Sequence, residues 1–243
     1  MSYGRHEFFR EAMLITRRHS ASFLSPAGQC KSFDASADGY CRGEAIATVF
    51  LKRMSSAIAD GDQIIGTIAA TAVYQNQNCT PIFVPNAPSL SDLFRKVLHK
   101  SRIEAKQISV VESHGTGTAV GDPAEYESIR QVFGGLPRSK ELQLGSVKGL
   151  VGHTEGSSGV VSLVKILLMI HEGYIPPQAS FSVLNPAIRT SPSDKITIST
   201  SLQPWDEDHR SALNQQLRGI RFQCFSCGDT GAAASHKRLA RKY

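Results

Sequence analysis

Val111-Glu112-Ser113-His114-Gly115-Thr116-Gly117-Thr118 and Ser146-Val147-Lys148-Gly149-Leu150-Val151-Gly152-His153-Thr154 decide how this chain is read. Each run follows a short β-like stretch and precedes a helix-like one, so each histidine falls on a tight turn at a strand end. Such a turn holds a side chain rigidly at a sheet edge, and its glycines let backbone crowd a bound molecule. Two strand-turn elements of one α/β unit bring their turns to the same end. His114 and His153 are therefore expected to face one shallow pocket, within roughly 12 Å of each other, the reach of a water-bridged shared site.

Outward from these turns the pattern alternates. It predicts strands over 45–51 and 63–73, and a helix over 89–100 opened by Ser89, with Leu90, Leu93, Phe94, Val97 and Leu98 at helical spacing. A strand over 108–112, a helix over 123–133 with Pro123 in its first turn, a strand over 142–147 and a helix over 157–172 follow. The stretch 176–186 is extended, and polar 206–216 reads as a loop. The class is α/β, a mixed sheet layered with helices. The helix after His153 is apolar almost all round, with only Ser162 and Lys165 between its aliphatic residues. That pattern predicts burial on every side, either in the core of this chain or at the centre of a larger two-layer body of which part is missing.

Composition narrows the function classes. With 243 residues and 41% hydrophobic content the chain can bury a sizeable core. Its net charge of +6 hints at nucleic acid, but Lys237, Arg238, Arg241 and Lys242 hold four of the 27 basic residues in a tail. The 23 that remain stand against 21 acidic ones, and no basic stripe interleaves with aromatics, so no nucleic-acid partner is expected. Five scattered cysteines with no signal peptide read as reduced thiols in a cytoplasmic chain; Arg17-Arg18 lacks the apolar stretch that export needs, and Asn78-Cys79-Thr80 is a chance sequon. No apolar run reaches membrane-spanning length, so no membrane partner is expected either.

Four chemistries compete for the turns. Gly115-Thr-Gly117-Thr-Ala-Val-Gly121 after a strand could bind a dinucleotide, although Asp122-Pro123 puts a carboxylate where a pyrophosphate wants amide donors. His114, His153 and Cys224-Phe-Ser-Cys227 could bind zinc, but the Cys-x-x-Cys has no second short-spaced ligand pair, and no metal is expected. Two neutral imidazoles could polarise a thioester oxygen, with the Lys148 ammonium setting their field. Finally, the histidines could simply be satisfied within their turns. Two such turns with a lysine between them favour the thioester chemistry.

His114-Gly-Thr-Gly-Thr-Ala-Val-Gly-Asp-Pro-Ala-Glu125, Lys148-Gly-Leu-Val-Gly-His153 and Lys31-Ser-Phe-Asp34-Ala-Ser-Ala-Asp38-Gly-Tyr40-Cys-Arg42-Gly-Glu44 together resemble the ketosynthase (β-ketoacyl synthase) domain of fungal iterative polyketide synthases, non-reducing or hybrid. The similarity runs from about Phe23 to Ile188, with a weaker continuation. The resemblance implies a thiolase-like fold, mainly its C-terminal half, over residues 20–235, with a poorly matching segment over 1–19 and a basic tail over 236–243. It implies decarboxylative Claisen condensation of acyl and malonyl thioesters, with His114 and His153 as catalytic histidines and Lys148 as the supporting lysine. No cofactor is bound directly. Substrates would ride on the phosphopantetheine of an acyl carrier protein, and the other implied partner is a ketosynthase N-terminal half or a homodimer mate.

Two departures qualify the match. The family's nucleophile is a cysteine in an Asp-Thr-Ala-Cys-Ser-Ser type turn upstream of Lys-Ser-Phe-Asp, and no such turn occurs here. Cys30, beside Lys31 on an apparently open loop, and Cys41 are not expected to replace it, since a nucleophilic thiol needs a strained turn at a helix N-terminus. The family's closing glycine-rich loop reads Gln223-Cys-Phe-Ser-Cys-Gly-Asp-Thr-Gly-Ala-Ala233 and has lost two glycines. The chain thus reads either as a split half contributing His114, Lys148 and His153 to an acyltransferase, or as a non-catalytic remnant or a module that binds a carrier protein or subunit.

Overall fold

The computed structural model describes residues 23–74, 85–138, 140–205 and 210–215, and the backbone of 220–227. Its elements, in chain order, are α1 (Met54–Ala59), β1 (Thr67–Tyr74), α2 (Ala87–Ser101), β2 (Val110–Glu112), α3 (Gly121–Phe133), β3 (Leu142–Gly145), α4 (Lys148–Val151), α5 (Ser158–Glu172), β4 (Tyr174–Ile175), β5 (Ile196–Thr197), β6 (Gln203–Pro204), β7 (Arg210–Asn214) and β8 (Ile220–Cys227). Six strands form a mixed sheet in the order β1-β8-β7-β2-β3-β5, in which β7, β2, β3 and β5 are parallel and β8 runs antiparallel to both its neighbours. A short antiparallel pair, β4 with β6, lies apart from it.

Alternation along the central strands sorts side chains into two cores. Val111 of β2 and Leu213 of β7 face a core built with Leu90, Leu93, Phe94 and Val97 of α2 and Tyr126, Ile129 and Phe133 of α3. Phe94 and Phe133 meet edge to face with ring centroids 5.3 Å apart, a geometry that adds to their area burial. Their neighbours Val110 and Ala212 point the other way, to Leu163, Ile166, Met169 and Ile170 of α5 and to Trp205. The Trp205 Nε1–H donates to Ser109 Oγ at 3.0 Å, so the indole is buried without an orphaned donor.

Several boundaries differ from expectation for identifiable reasons. The cap of α2 is Asn86, whose side chain accepts the Ser89 N–H, so Ser89 lies inside the helix rather than opening it. The segment expected as a strand over 63–73 becomes one only from Thr67, where β8 supplies its ladder. Residues 45–50 alternate along the chain between partly buried and exposed, with Leu51 exposed as well, but 45–51 pair with no strand among the described residues. The predicted loop over 206–216 is overturned between Arg210 and Asn214: β7 lies inside the sheet between β8 and β2 with Ser211 to Asn214 buried. Its polar residues hid a short central strand, and 206–209 and 216 lie outside the described residues. Helix α5 is not buried on every side, since Leu168 is exposed and Val160, Val161 and Val164 are only partly covered. Its buried stripe is the one facing the sheet. Tail residues 236–243, segment 1–19 and the Asn78 sequon lie outside the described residues. Among the described residues no helix is long and apolar enough to cross a membrane.

Candidate active site

The first histidine turn is built where β2 runs out of partner. Ser113 N–H donates to Gly145 O at 2.7 Å, extending the parallel ladder one residue past β2, and His114 begins the turn. The turn is then fastened from below by two carboxylates on the first turns of α3. Glu125 accepts the N–H groups of His114 (2.6 Å) and Gly115 (2.8 Å), and Asp122 accepts those of Gly117 (3.1 Å) and Phe33 (2.6 Å). Gly117 sits at φ +78°, and a Cβ there would stand 2.8 Å from the Lys31 backbone nitrogen, so the turn accepts only glycine. These bonds remove the dinucleotide reading on physical grounds. The amides a pyrophosphate would need are already spent on the protein's own carboxylates.

The second turn is fixed differently, by main chain. His153 N–H donates to Cys41 O (2.7 Å) and His153 O accepts Gly43 N–H (3.0 Å), which splices the His153 turn onto residues 41–43 as a parallel bridge. Gly152 supplies the bend at φ +73°. The Nδ1 of His153 accepts the Glu155 N–H at 3.1 Å, and a neutral imidazole bonded in this way carries its proton on Nε2. The Nε2 end of the ring is thus a donor.

The two turns meet as expected. The imidazole centroids are 5.1 Å apart with planes at 87°, and the rings are 8% and 7% exposed. Tyr40 flanks His153 with its ring centroid 5.4 Å away. Lys148, on the first turn of α4, is 1% exposed, and its Nζ has no hydrogen-bond partner among the described residues. Burial lowers the pKa of this ammonium below the usual lysine range, while Glu112, Glu125, Cys30 and Asp122 pull it back up. Burial also pushes Asp122 up to about 6 and Glu125 up to about 7, against the amide bonds that favour their charged forms. Glu112 is held by the Val147 N–H and the Lys165 ammonium, each at 2.6 Å. The site is therefore two histidines above a buried set of three carboxylates and one lysine.

Those carboxylates are what reading for histidines passed over. Their signal was present: Glu112 ends the strand before the first turn, and Asp122 and Glu125 open the helix after it, three positions apart on one face. The Lys31–Glu44 run proves to be a clamp. Asp34 accepts bonds from the N–H and Oγ of Ser36, the N–H and Oγ of Ser182 and the N–H of Val183. These outweigh the burial that opposes ionisation and hold its carboxyl well below the usual carboxylate range. Cys30 is not on an open loop but fully buried, and burial pushes its thiol up to about 12, the reverse of what an activated nucleophile needs. The side chains of Cys224 and Cys227 and the altered loop beyond them lie outside the described residues. Among the described residues no three His, Cys, Asp or Glu side chains group as metal ligands.

Comparison with known proteins bears on this geometry directly. The model of the β-ketoacyl synthase C-terminal domain matches residues 65–182, and that of the N-terminal domain matches residues 10–57. The non-reducing polyketide synthase pigA of Monascus ruber is 69% identical over 193 residues, which are 79% of this chain and 7% of that protein. The citrinin polyketide synthase of Monascus purpureus is 68% identical over 193 residues, with the same shares of the two chains. This chain thus spans only a small part of the curated relatives it matches. Among solved structures, the ketosynthase from module 6 of the bacillaene synthase of Bacillus subtilis 168 superposes with a TM-score of 0.82 at 32% identity, covering 89% of this chain and 39% of that one. The fold is thiolase-like, and the chain belongs to the β-ketoacyl synthase family as a ketosynthase-domain sequence of the fungal polyketide synthase kind.

Proposed function

We propose that this chain supplies the histidine and lysine side of a ketosynthase active site that carries out decarboxylative Claisen condensation in polyketide synthesis. The observation that carries the reading is the pair of buried imidazoles at 5.1 Å, with the Nδ1 of His153 committed to a backbone amide. The thioester carbonyl oxygen of a malonyl unit on a carrier protein's phosphopantetheine arm accepts hydrogen bonds from the imidazoles. Loss of carbon dioxide leaves an enolate whose negative oxygen the same donors stabilise. The enolate carbon then attacks an acyl thioester held on a cysteine; the new carbon–carbon bond forms and the cysteine leaves as thiolate. Lys148, buried beside the carboxylates, offsets their negative charge in the neighbourhood of the enolate oxygen.

The thiol in this scheme comes from outside the 243 residues. They contain no turn of the nucleophile type, and Cys30 is buried with a raised pKa. The partner is the remainder of a ketosynthase N-terminal domain, and what supports this is the stretch 45–51 within the N-terminal-domain match, whose outer side chains Ile46 and Phe50 are 101% and 98% exposed.

The test is carbon dioxide release from a malonyl thioester by the chain assembled with such a partner. His114→Ala and His153→Ala should each lower the rate by about 10²–10³-fold, the usual loss for one oxyanion donor. Rates unchanged in both variants would remove the chemistry from these turns. The chain alone, incubated with an acyl thioester, should gain no acyl mass, and a stable adduct on Cys30 or Cys41 would overturn the assignment of an external thiol.

A further inference from the structure

Cys30 and Cys41 take no part in the reaction above, yet their sulfurs stand 3.8 Å apart. The contact is built rather than accidental. The Cys41 N–H donates to Cys30 Sγ at 3.2 Å, and the Cys30 thiol donates to Cys41 O at 3.5 Å. The ten residues between them are cross-braced by the Lys31–Asp38 ion pair at 2.8 Å and by the Ser36 bonds to Asp34. Both thiols are free; Cys30 is wholly buried and Cys41 is partly exposed. Cys41 is thus the residue of the pair nearer solvent, and the Cys30 sulfur is shielded beside it.

We propose that Cys30 and Cys41 form a reversible disulfide under hydrogen peroxide, and that this modification displaces the His153 turn. The Cys41 sulfur attacks one peroxide oxygen, the O–O bond breaks, and one water leaves with a sulfenic acid on Cys41. The Cys30 sulfur then displaces that hydroxyl, giving up its own proton, and the second water leaves. Two thiols lose two electrons in all, and one peroxide is reduced to two waters. An S–S bond of about 2.05 Å requires the sulfurs to close by roughly 1.8 Å.

That closure is linked through the main chain to the His153 turn. The carbonyl of Cys41 holds the His153 N–H, and Arg42 is bridged to His153. Drawing Cys41 toward Cys30 therefore pulls on the turn that sets His153 against His114. The expected effect on decarboxylation rests on the function proposed above, whereas the disulfide itself does not.

The test treats the full chain with graded hydrogen peroxide, alkylates it and maps the peptides by mass. The expected product is a linked pair of peptides bearing Cys30 and Cys41, lighter by two hydrogen atoms, with both sites protected from alkylation until dithiothreitol is added. Cys30→Ser should instead leave a dimedone-reactive sulfenic acid on Cys41, and Cys41→Ser should leave Cys30 fully alkylatable after denaturation. The proposal is overturned if both thiols still alkylate after peroxide, if Cys41 accumulates two oxygens without linking, or if either sulfur pairs with Cys79, Cys224 or Cys227. In the assembled ketosynthase, carbon dioxide release should fall several-fold on oxidation, recover with dithiothreitol, and lose this reversible response in Cys30→Ser. An assembly inactive before and after oxidation, with the disulfide present, would sink the functional reading and leave the disulfide standing.

Discussion

The His114 turn and the 45–51 stretch face opposite situations within one chain. At the turn, the amides of His114, Gly115 and Gly117 all meet carboxylates from α3, and the rings above them are more than nine-tenths buried. Along 45–51 the inner side chain Val49 packs on the α5 core, but the outer ones, Ile46 and Phe50, meet only solvent. Apolar side chains on both faces of such a stretch call for cover on both, and only one face is met here. A site can therefore be fully formed in its fastenings while the surface that would complete its surroundings stays open.

This comparison breaks most sharply on paired phenylalanines. Phe94→Ala, in the core between α2 and α3, should cost about 3–5 kcal/mol, while Phe50→Ala should change the chain's stability by no more than about 0.5 kcal/mol. Urea unfolding of the two variants checks it. A large loss at Phe50 in the isolated chain would show that the 45–51 face is already covered.

A second effect tests how tightly the turn is closed. Folding raises the Glu125 carboxyl from 4.5 to about 7, so the folded chain holds its proton more firmly than the unfolded one. The stability this contributes is fully present below pH 4.5 and is lost as pH rises through about 7, on the order of 3 kcal/mol across the window. Glu125→Gln cannot titrate. The stability of the native chain minus that of Glu125→Gln should therefore fall between pH 4.5 and 7.5, as followed by denaturant midpoints. A difference that is flat or rises over this range would show that Glu125 is ionised throughout.

The smallest effect per residue belongs to the open face. Each of Ile46 and Phe50 would gain about 1.5–3 kcal/mol on burial, enough to drive self-association or dye binding by the isolated chain. Ile46→Asp with Phe50→Asp should abolish both without lowering the unfolding midpoint. Sedimentation and dye fluorescence read the result, and a native chain that is monodisperse and binds no dye would break the comparison.

Much of the fold was legible because its signals are local. The spacing of Leu90, Leu93, Phe94 and Val97 places α2 to within two residues at its start and one at its end, and the first glycine turn places His114 just past the end of β2, whereas His153 follows the short helix α4 rather than the end of β3. The 206–216 region was not legible, since Arg210 to Asn214 becomes a strand only through its neighbours β2 and β8. Strand character there is a property of pairing, not of composition. The same applies at 45–51, where a largely apolar run finds no ladder among the described residues.

At the site, the amino-acid sequence alone singled out His114, Lys148 and His153 as candidates for chemistry, because they sit in long, specific motifs rich in turn-forming glycines. Their convergence was a matter of tertiary structure. The edge-to-face contact of His114 and His153 and the burial of Lys148 among Glu112, Asp122 and Glu125 join residues from separate elements, whereas the amide that commits His153 Nδ1 comes from Glu155, two residues along the chain. The pKa shifts of Asp122, Glu125 and Lys148 follow from desolvation and charges in space, and these are set by which segments the fold brings together rather than by neighbours along the chain.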